Sequence, residues 1–357
     1  MSVSCTVRRS RPALFVGRLG AALIVLVSAV PHAGQRSNPS HPLTFFAPEA
    51  TLDAAELRRG DAGEVLVKSV PASSRDVAIF SAARVSIDGD RLVSWVRRIE
   101  ALKRSEQVVA IARFSLPPTL EDLASLELER SELEALRACR PGDCGLKLGD
   151  DEIARLATLS TQGAPGWQRA AHATYREILL ARATAYLARG LDGVTPYHDR
   201  GIPASPAAAF PALMADSTFL TRQLPSHVRF LREYPAVADP GVESFLYWSK
   251  ERLRGQPVVS ITHVTISRSP DPGLPDAIVI ARQVYASHYM TGAVAVTAIV
   301  GGRGHGPAYL AYMNRSRLDL LGGIFGGLVR RIVAGRLRDE AGQVVDGLRR
   351  RLQSGEP

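Results

Sequence analysis

The chain has 357 residues, 46% of them apolar and 22% charged, so it can bury a sizeable core and is not a disordered segment. Its 44 basic and 35 acidic residues give a net charge of +9, which falls to +5 (40 against 35) without four arginines near the N-terminus. The surplus is concentrated in arginines between residues 315 and 351, which indicates either a local basic patch or solvated arginines on a surface helix.

Residues 1–33 have the pattern of a signal peptide. Four arginines without an acidic neighbour precede Leu19–Val30, an apolar run of 12 residues. That run is shorter than the ~20 residues that span a bilayer. We therefore expect export to the periplasm or the cell exterior, which excludes nucleic acid as a partner. An uncleaved N-terminal membrane anchor is the alternative.

The remainder is predicted to be a linker (34–60) followed by a single α+β domain (61–357). "GEVLVKSV", "DVAIFSAARVSID" and "QVVAIARFS" are typical of strands, whereas "GDRLVSWVRRIEALKRS" has helical spacing. Residues 119–235 are predicted to be a helical insertion. It begins with a helix over 119–139, introduced by the capping pattern Thr119-x-x-Asp122. Its longest helix is expected to end at Gly190.

The pair Cys139 and Cys144 frames the turn "CRPGDC". An even, closely spaced pair in an exported chain predicts a disulfide. The spacing is neither that of a CxxC redox site nor that of a haem attachment motif. No second Cys/His pair completes a zinc site, so neither a metal nor a cofactor is predicted.

From residue 242 onward, strand-like segments alternate with short turns rich in Gly and Pro, which predicts an antiparallel meander. A long amphipathic helix follows and is expected to pack on the sheet. Its apolar stripe comprises Leu328, Ile332, Leu337, Ala341, Val344, Val345, Leu348 and Leu352. The predicted fold class is therefore α+β, with the meander sheet packed against a helical middle region and the C-terminal helix.

The chain contains none of the common nucleophile, P-loop, zinc-protease or dinucleotide motifs, and its catalytic residues stay unknown. Polar side chains in the predicted strands are the candidates for ligand binding. They are Tyr247, His263, Tyr285, His288, Tyr289, Asn314, Arg315 and Arg317.

Two groups of these candidates, in "ARQVYASHY" and in "NRSRLD", are compatible with either a binding site or a structural role. Strand alternation through "ARQVYASHY" predicts that Arg282 and His288 share one face, and Gln283, Tyr285 and Tyr289 the other, so that at most one face lines a pocket. The run "NRSRLD" at 314–319 would bind an anionic head group beside an apolar cavity, or else its arginines pair with Asp319 and neighbouring acidic residues.

The segments "CRPGDC", "YWSKE", "ITHVTI", "YASHY" and "NRSR" resemble a family of exported bacterial proteins without an assigned activity. This resemblance covers about residues 75–335 and implies no catalytic residue. In architecture, a sheet closed by a long C-terminal helix is similar to the START-like helix-grip fold. That resemblance implies an enclosed apolar ligand.

Three functions are compatible with these patterns. The first is a non-catalytic exported protein that binds an apolar or amphiphilic small molecule between the sheet and the C-terminal helix. The second is a hydrolase-type enzyme that uses a cluster of His and Tyr side chains. The third is an envelope interaction protein whose basic C-terminal helix rests on an anionic membrane surface.

Overall fold

A computed structural model describes residues 41–161, 166–253, 255–303, 306–322 and 326–355. Within these ranges the strands are β1 (Leu66–Ser69), β2 (Asp76–Val85), β3 (Val108–Arg113), β4 (Val242–Leu253), β5 (Gln256–Arg268), β6 (Ala277–Ala286), β7 (Met290–Gly301) and β8 (Ala308–Leu318). The helices are α1 (Ala54–Asp61), α2 (Gly89–Arg97), α3 (Ile99–Leu102), α4 (Arg130–Ala138), α5 (Asp150–Thr161), α6 (Trp167–Arg189), α7 (Pro206–Ala215), α8 (Thr218–Gln223), α9 (Pro225–Glu233) and α10 (Gly326–Gln353). The predicted signal peptide lies outside the described residues.

The strands form one antiparallel sheet in the order β1-β2-β8-β7-β6-β5-β4-β3. β4 to β8 follow one another as a meander because each is joined to the next by a short turn. β2 returns to the last strand, with Asp76 opposite Arg317 and Val85 opposite Ala308. β3 pairs with β4 at the other edge. The predicted meander is confirmed.

One face of the sheet carries α2, α3 and α10. An apolar cluster joins Leu92 of α2 and Val345 and Leu352 of α10 to Leu310 of β8. The predicted stripe of α10 is therefore correct at positions 341, 345 and 352, all of which are buried. Val344 was included in the stripe but is 55% exposed, because it lies on the flank of the buried line.

The opposite face is covered by the helical middle region. The longest helix of this region, α6, buries Tyr175, Ile178, Leu179 and Tyr186. Strands β2, β7 and β8 pack beneath α7 to α9 and the N-terminal residues. The sheet is thus packed between two helical layers, which confirms the predicted α+β class and both helical partners of the sheet.

The start of the middle region differs from the helix predicted over 119–139. A 3-10 turn at Leu120–Leu123 is followed by an extended segment, and only Arg130–Ala138 forms an α-helix. The turn is nevertheless capped as predicted, since the Asp122 carboxylate accepts a hydrogen bond from the Thr119 N–H (2.8 Å). Leu126 and Leu128 are both buried, and their alternating spacing suits extended backbone better than a helix.

The predicted disulfide is confirmed between Cys139 and Cys144, whose Cα atoms lie 4.2 Å apart. Inside the small loop, the backbone groups of Arg140 and Asp143 exchange hydrogen bonds in both directions at 2.9 Å. The predicted helix end at Gly190 is also present. Gly190 has φ 58°, and a Cβ atom there would lie 1.8 Å from the carbonyl oxygen of Tyr234. Only glycine fits this position.

Residues 41–60 form part of the folded body, although their composition is typical of a linker. Leu43 and Phe46, in a 3-10 helix at Pro42–Phe46, are buried against the sheet. Glu49 is also buried and pairs with Arg315 of β8. Two apolar anchors and one buried carboxylate are enough to dock this segment. The described residues all belong to one compact unit that begins at His41.

Candidate functional site

A cavity of about 270 Å³ lies on the face of the sheet that carries α2, α3 and α10. Its apolar lining consists of Leu253, Val258, Ala281, Met290, Ala293 and Ala295. Its polar lining consists of Lys103, Tyr247, Glu251, Ser260, Thr262, Gln283, Asn314 and Ser316. The cavity therefore combines a hydrocarbon surface with a cluster of hydrogen-bonding groups.

Strand alternation explains why the space exists at this end of the sheet. Along β6, Val279 packs in the apolar cluster below the helices, and the next residue on the same face is Ala281. Along β7, Ile299 belongs to that cluster, whereas Ala295 and Ala293 follow farther along the same face. At this end of the sheet small side chains thus take the positions that large ones occupy below the helices. They leave a space above the strands, and this space is the cavity.

The polar end of the cavity is organised around Lys103 and Glu251. The Lys103 ammonium lies 2.5 Å from the Glu251 carboxylate and 3.4 Å from the Tyr247 hydroxyl. The Ser249 hydroxyl donates to the same carboxylate at 2.6 Å and lies 3.2 Å from the Ser260 hydroxyl. Because Tyr247, Ser249 and Glu251 alternate along β4, all three face the cavity side of the sheet.

Burial and neighbouring charges shift the pKa values of Lys103 and Glu251 in opposite directions. Burial alone would lower the pKa of Lys103, but the neighbouring Tyr247 and Glu251 raise it well above its ordinary value. Burial alone would raise the pKa of Glu251, but the charge of Lys103 and the hydrogen bonds from Lys103 and Ser249 lower it. Both groups are therefore ionised near neutral pH, and the cluster carries no net charge.

Two amide side chains complete the polar lining. Asn314 accepts a hydrogen bond from the Ser316 hydroxyl at 2.7 Å. The side-chain oxygen of Gln283 is buried and has no hydrogen-bond partner among the described residues. A buried acceptor without a partner is costly, so Gln283 offers a position for a donor group of a ligand.

Tyr247 and Asn314 are the two sequence-predicted site residues that line this cavity. His263 lies on the opposite face, fully buried, with its Nδ1 2.7 Å from the Tyr186 hydroxyl. Burial lowers the pKa of His263 to about 3, so its ring is neutral. Tyr285 is buried on the same side, and its hydroxyl lies 3.0 Å from that of Tyr175.

His288 and Tyr289 lie in the turn between β6 and β7, and neither lines the cavity. The Nδ1 atom of His288 is 2.8 Å from the Ser287 hydroxyl, and burial lowers the pKa of this histidine. Tyr289 has a positive φ of 66°, and its carbonyl accepts a hydrogen bond from the Asp319 N–H. Apart from Tyr247, the predicted histidines and tyrosines are thus divided between a buried core and a turn.

Arg315 and Arg317 are paired with carboxylates of the chain. Arg315 is buried and contacts Glu49, while Arg317 binds Asp76 through two hydrogen bonds of 2.8 and 3.0 Å. Of the two interpretations of "NRSRLD", the structure supports internal pairing. The carboxylates come from residues 49 and 76, whereas Asp319 pairs with Lys147 at 2.8 Å.

The predicted sharing of a face by Gln283 and Tyr285 is wrong. Opposite these residues the register shifts, so that Ile261 faces Tyr285 and the next residue of β5, Thr262, faces Gln283. Val284 is the extra residue of a β-bulge, and a bulge reverses the alternation beyond it. Gln283 therefore lines the cavity, whereas Tyr285 packs under the helical middle region. Arg282 and His288 are likewise not paired on a face, since β6 ends at Ala286.

Sequence reasoning missed Lys103, Ser249 and Glu251. A signal for two of them was available, because Tyr247, Ser249 and Glu251 occupy alternate positions of one strand. Lys103 directly follows the short helix α3, and nothing in its local sequence indicates that it meets β4.

Across the described ranges, no three His, Cys, Asp or Glu side chains are grouped closely enough to hold a metal ion. In the same ranges no helix has the length and hydropathy needed to cross a bilayer. In α10, Arg349 donates to the carbonyl of Gly63 and Arg351 to that of Leu102, so these two arginines are engaged within the protein.

Comparisons of the chain with protein-family models, with curated proteins and with solved structures find no match.

Proposed function

We propose that the protein binds a small, neutral, amphiphilic molecule in the sheet cavity and does not catalyse its conversion. One observation carries this proposal. An apolar floor formed by alanines and the Lys103–Glu251 cluster line the same cavity of about 270 Å³. Sites for small molecules typically measure about 300–1,000 Å³ and combine an apolar lining with a few placed polar groups. The volume favours a ligand at the small end of this range.

The electrostatics favour a neutral ligand. Lys103 and Glu251 already neutralise each other at 2.5 Å, so neither an isolated cation nor an isolated anion gains a free counter-charge. Hydroxyl and amide groups surround the pair, and the Gln283 oxygen lacks a donor. A ligand with a hydroxyl or amide head and a short hydrocarbon part satisfies both halves of the cavity.

Two further features support this function. The cavity lies on the sheet face that also carries α10, which supports a ligand on this face, although the described lining residues belong to the strands and to Lys103 and not to α10. Export is retained as part of the proposal, and the disulfide between Cys139 and Cys144 supports it because such bonds persist in oxidising compartments.

The proposal is tested by filling the cavity. In Ala281→Leu and Ala295→Leu, larger side chains project from the cavity floor, whereas Ala55→Leu adds the same group at an exposed position of α1. Native mass spectrometry of protein purified from the source cells should detect a bound small molecule in the wild type and in Ala55→Leu. We expect at least a tenfold lower occupancy in the two cavity variants.

His288→Ala provides a second control, because His288 does not line the cavity and its removal should leave occupancy unchanged. Equal occupancy in all four variants and the wild type would exclude this cavity as the site. A compound that is converted by the wild type but not by His288→Ala would instead support the hydrolase alternative.

A further inference from the structure

Arg282 of β6 is a buried cation on the sheet face opposite the proposed ligand cavity. It is 1% exposed, and its guanidinium carbon lies 5.0 Å from the ring centre of Tyr186 and 4.6 Å from that of Phe210. Aromatic faces stabilise a cation placed over them, but they do not neutralise its charge. Burial without a compensating charge lowers the pKa of Arg282 to about 9.

The hydrogen bonds of Arg282 leave one edge of the guanidinium unused. Its Nη1 atom donates to the carbonyl of Leu231. Its Nε and Nη2 atoms are buried and have no partner in the described part of the chain. The N–H bonds of Nε and Nη2 point in parallel from the same edge, and this is the edge with which arginine grips an anion through two hydrogen bonds.

Other buried cations of the protein differ from Arg282 in having an acidic partner. Lys250 lies 2.5 Å from Glu132, and Lys147 lies 2.8 Å from Asp319. For Arg282, no carboxylate of the described residues comes within ion-pair distance. A buried charge left alone costs several kcal/mol, so a missing counter-ion is the natural complement of this site.

A small cavity adjoins Arg282. Its volume is about 10 Å³, and its lining includes Arg282, Tyr186, Phe210, Leu213 and Gly292. That volume is about the size of one water molecule and excludes a carboxylate-bearing metabolite. A halide ion is a few tenths of an ångström larger in radius, so its binding requires a correspondingly small shift of the side chains that line the cavity. Water would satisfy the free N–H groups, but it would leave the charge of the guanidinium uncompensated.

We propose that this cavity is a binding site for one monoatomic anion, chloride or another halide, held by the Nε and Nη2 atoms of Arg282. The anion completes the core between β6 and the middle helices. The proposal does not rest on the ligand proposed for the larger cavity, although Gln283 and Ala293 contribute to the lining of both spaces.

Crystals of the full chain grown in sodium bromide test the site directly. Data collected at the bromine absorption edge should contain an anomalous peak within hydrogen-bond distance of Nε and Nη2 of Arg282. Electron density there without an anomalous signal at saturating bromide would identify the occupant as water and overturn the proposal.

Thermal unfolding provides the test in solution. Sodium chloride is exchanged for sodium gluconate at constant ionic strength, because gluconate is too large for the cavity. Once chloride exceeds its dissociation constant, each tenfold increase should raise the Tm of the wild type by about 2–4 °C.

A matched pair of variants separates the cavity from general salt effects. In Gly292→Ala, the added methyl group lies 3.4 Å from Leu213 and 3.6 Å from Ala209, so it fits beside the cavity wall and takes up part of the space. Gly347→Ala adds a methyl group to α10 with no atom within 4 Å. Chloride should stabilise Gly347→Ala like the wild type and should lose its effect on Gly292→Ala. Equal chloride dependence in all three proteins would refute the site.

Discussion

His263 is held in its neutral form by burial, with its Nδ1 on the Tyr186 hydroxyl and its ring 4.5 Å from that of Tyr234. Its Nε2 atom has no hydrogen-bond partner in the described part of the protein. A proton added at Nε2 would place an unpaired charge inside the core. This explains why the folded protein resists protonation of His263 down to a pKa of about 3.

This resistance makes the stability of the protein depend on pH. The unfolded chain takes up a proton on His263 below about pH 6.5, whereas the folded chain does not until about pH 3. The free energy of unfolding should therefore fall as pH decreases through this range, by up to about 1.4 kcal/mol per pH unit from this group. In His263→Gln, urea unfolding between pH 7 and 4.5 should show a correspondingly smaller loss.

The pH dependence of His263→Gln separates the titration of His263 from the loss of its hydrogen bond to Tyr186. Losing the bond to Tyr186 should cost about 1 kcal/mol at every pH, whereas the titration of His263 changes only the slope. His198→Gln removes an imidazole that is partly exposed and paired with Asp150 at 2.6 Å, and it leaves His263 in place. An identical slope in the wild type and His263→Gln would show that His263 does not control acid stability.

At the scale of elements, α10 is fixed by a narrow line of apolar side chains. Val345 is fully buried against the sheet, and its neighbour Val344 is 55% exposed. Val345→Ala should lower the free energy of unfolding by about 1–3 kcal/mol, because it leaves a cavity between α10 and the sheet. Val344→Ala should change it by less than about 0.5 kcal/mol. Urea denaturation of both variants checks this difference, and equal effects would mean that α10 does not pack as described.

The elements were predictable from sequence where a local pattern decides them. The meander strands, the Gly190 helix end and the disulfide turn each depend on residues a few positions apart. The bulge at Val284 did not follow from the sequence, because it depends on how β5 and β6 align across the sheet. The extra residue there places Gln283 and Tyr285 on opposite faces of the sheet, so that Gln283 lines the candidate site and Tyr285 does not.

At the scale of the whole molecule, Glu49 and Arg315 connect the N-terminal segment to the last strand. Both side chains are almost completely buried. Glu49→Gln should therefore reduce the free energy of unfolding by about 3 kcal/mol, because it leaves the Arg315 charge with only Asp216, 3.9 Å away, as an acidic neighbour. The measurement is urea unfolding monitored by tryptophan fluorescence.

A double-mutant cycle identifies the cause of that loss. Arg315→Met alone leaves the Glu49 carboxylate buried without a cation, whereas Glu49→Gln together with Arg315→Met removes both charges. The double variant should be more stable than the sum of the two single losses predicts. Strict additivity would show that the two side chains do not interact in solution.

The candidate site also depends on the whole molecule. Lys103 follows a four-residue helix near the start of the domain, and Glu251 lies far along the chain in β4. Each looks like an ordinary surface residue in its local sequence. Their contact exists only because α3 and β4 meet in the folded protein. Tyr247 and Asn314 could be predicted because they are polar residues within clear strands.

The pairing of β2 with β8 has a consequence for synthesis. A ribosome makes β2 early, yet the strand that accepts its hydrogen bonds begins only at Ala308. Until then, β2 exposes the unpaired edge of a largely apolar strand, a state that promotes association with other chains. This edge of β2 thus stays without its partner strand until β8 has been synthesised, so the long-range pairing of β2 with β8 is a late step in folding.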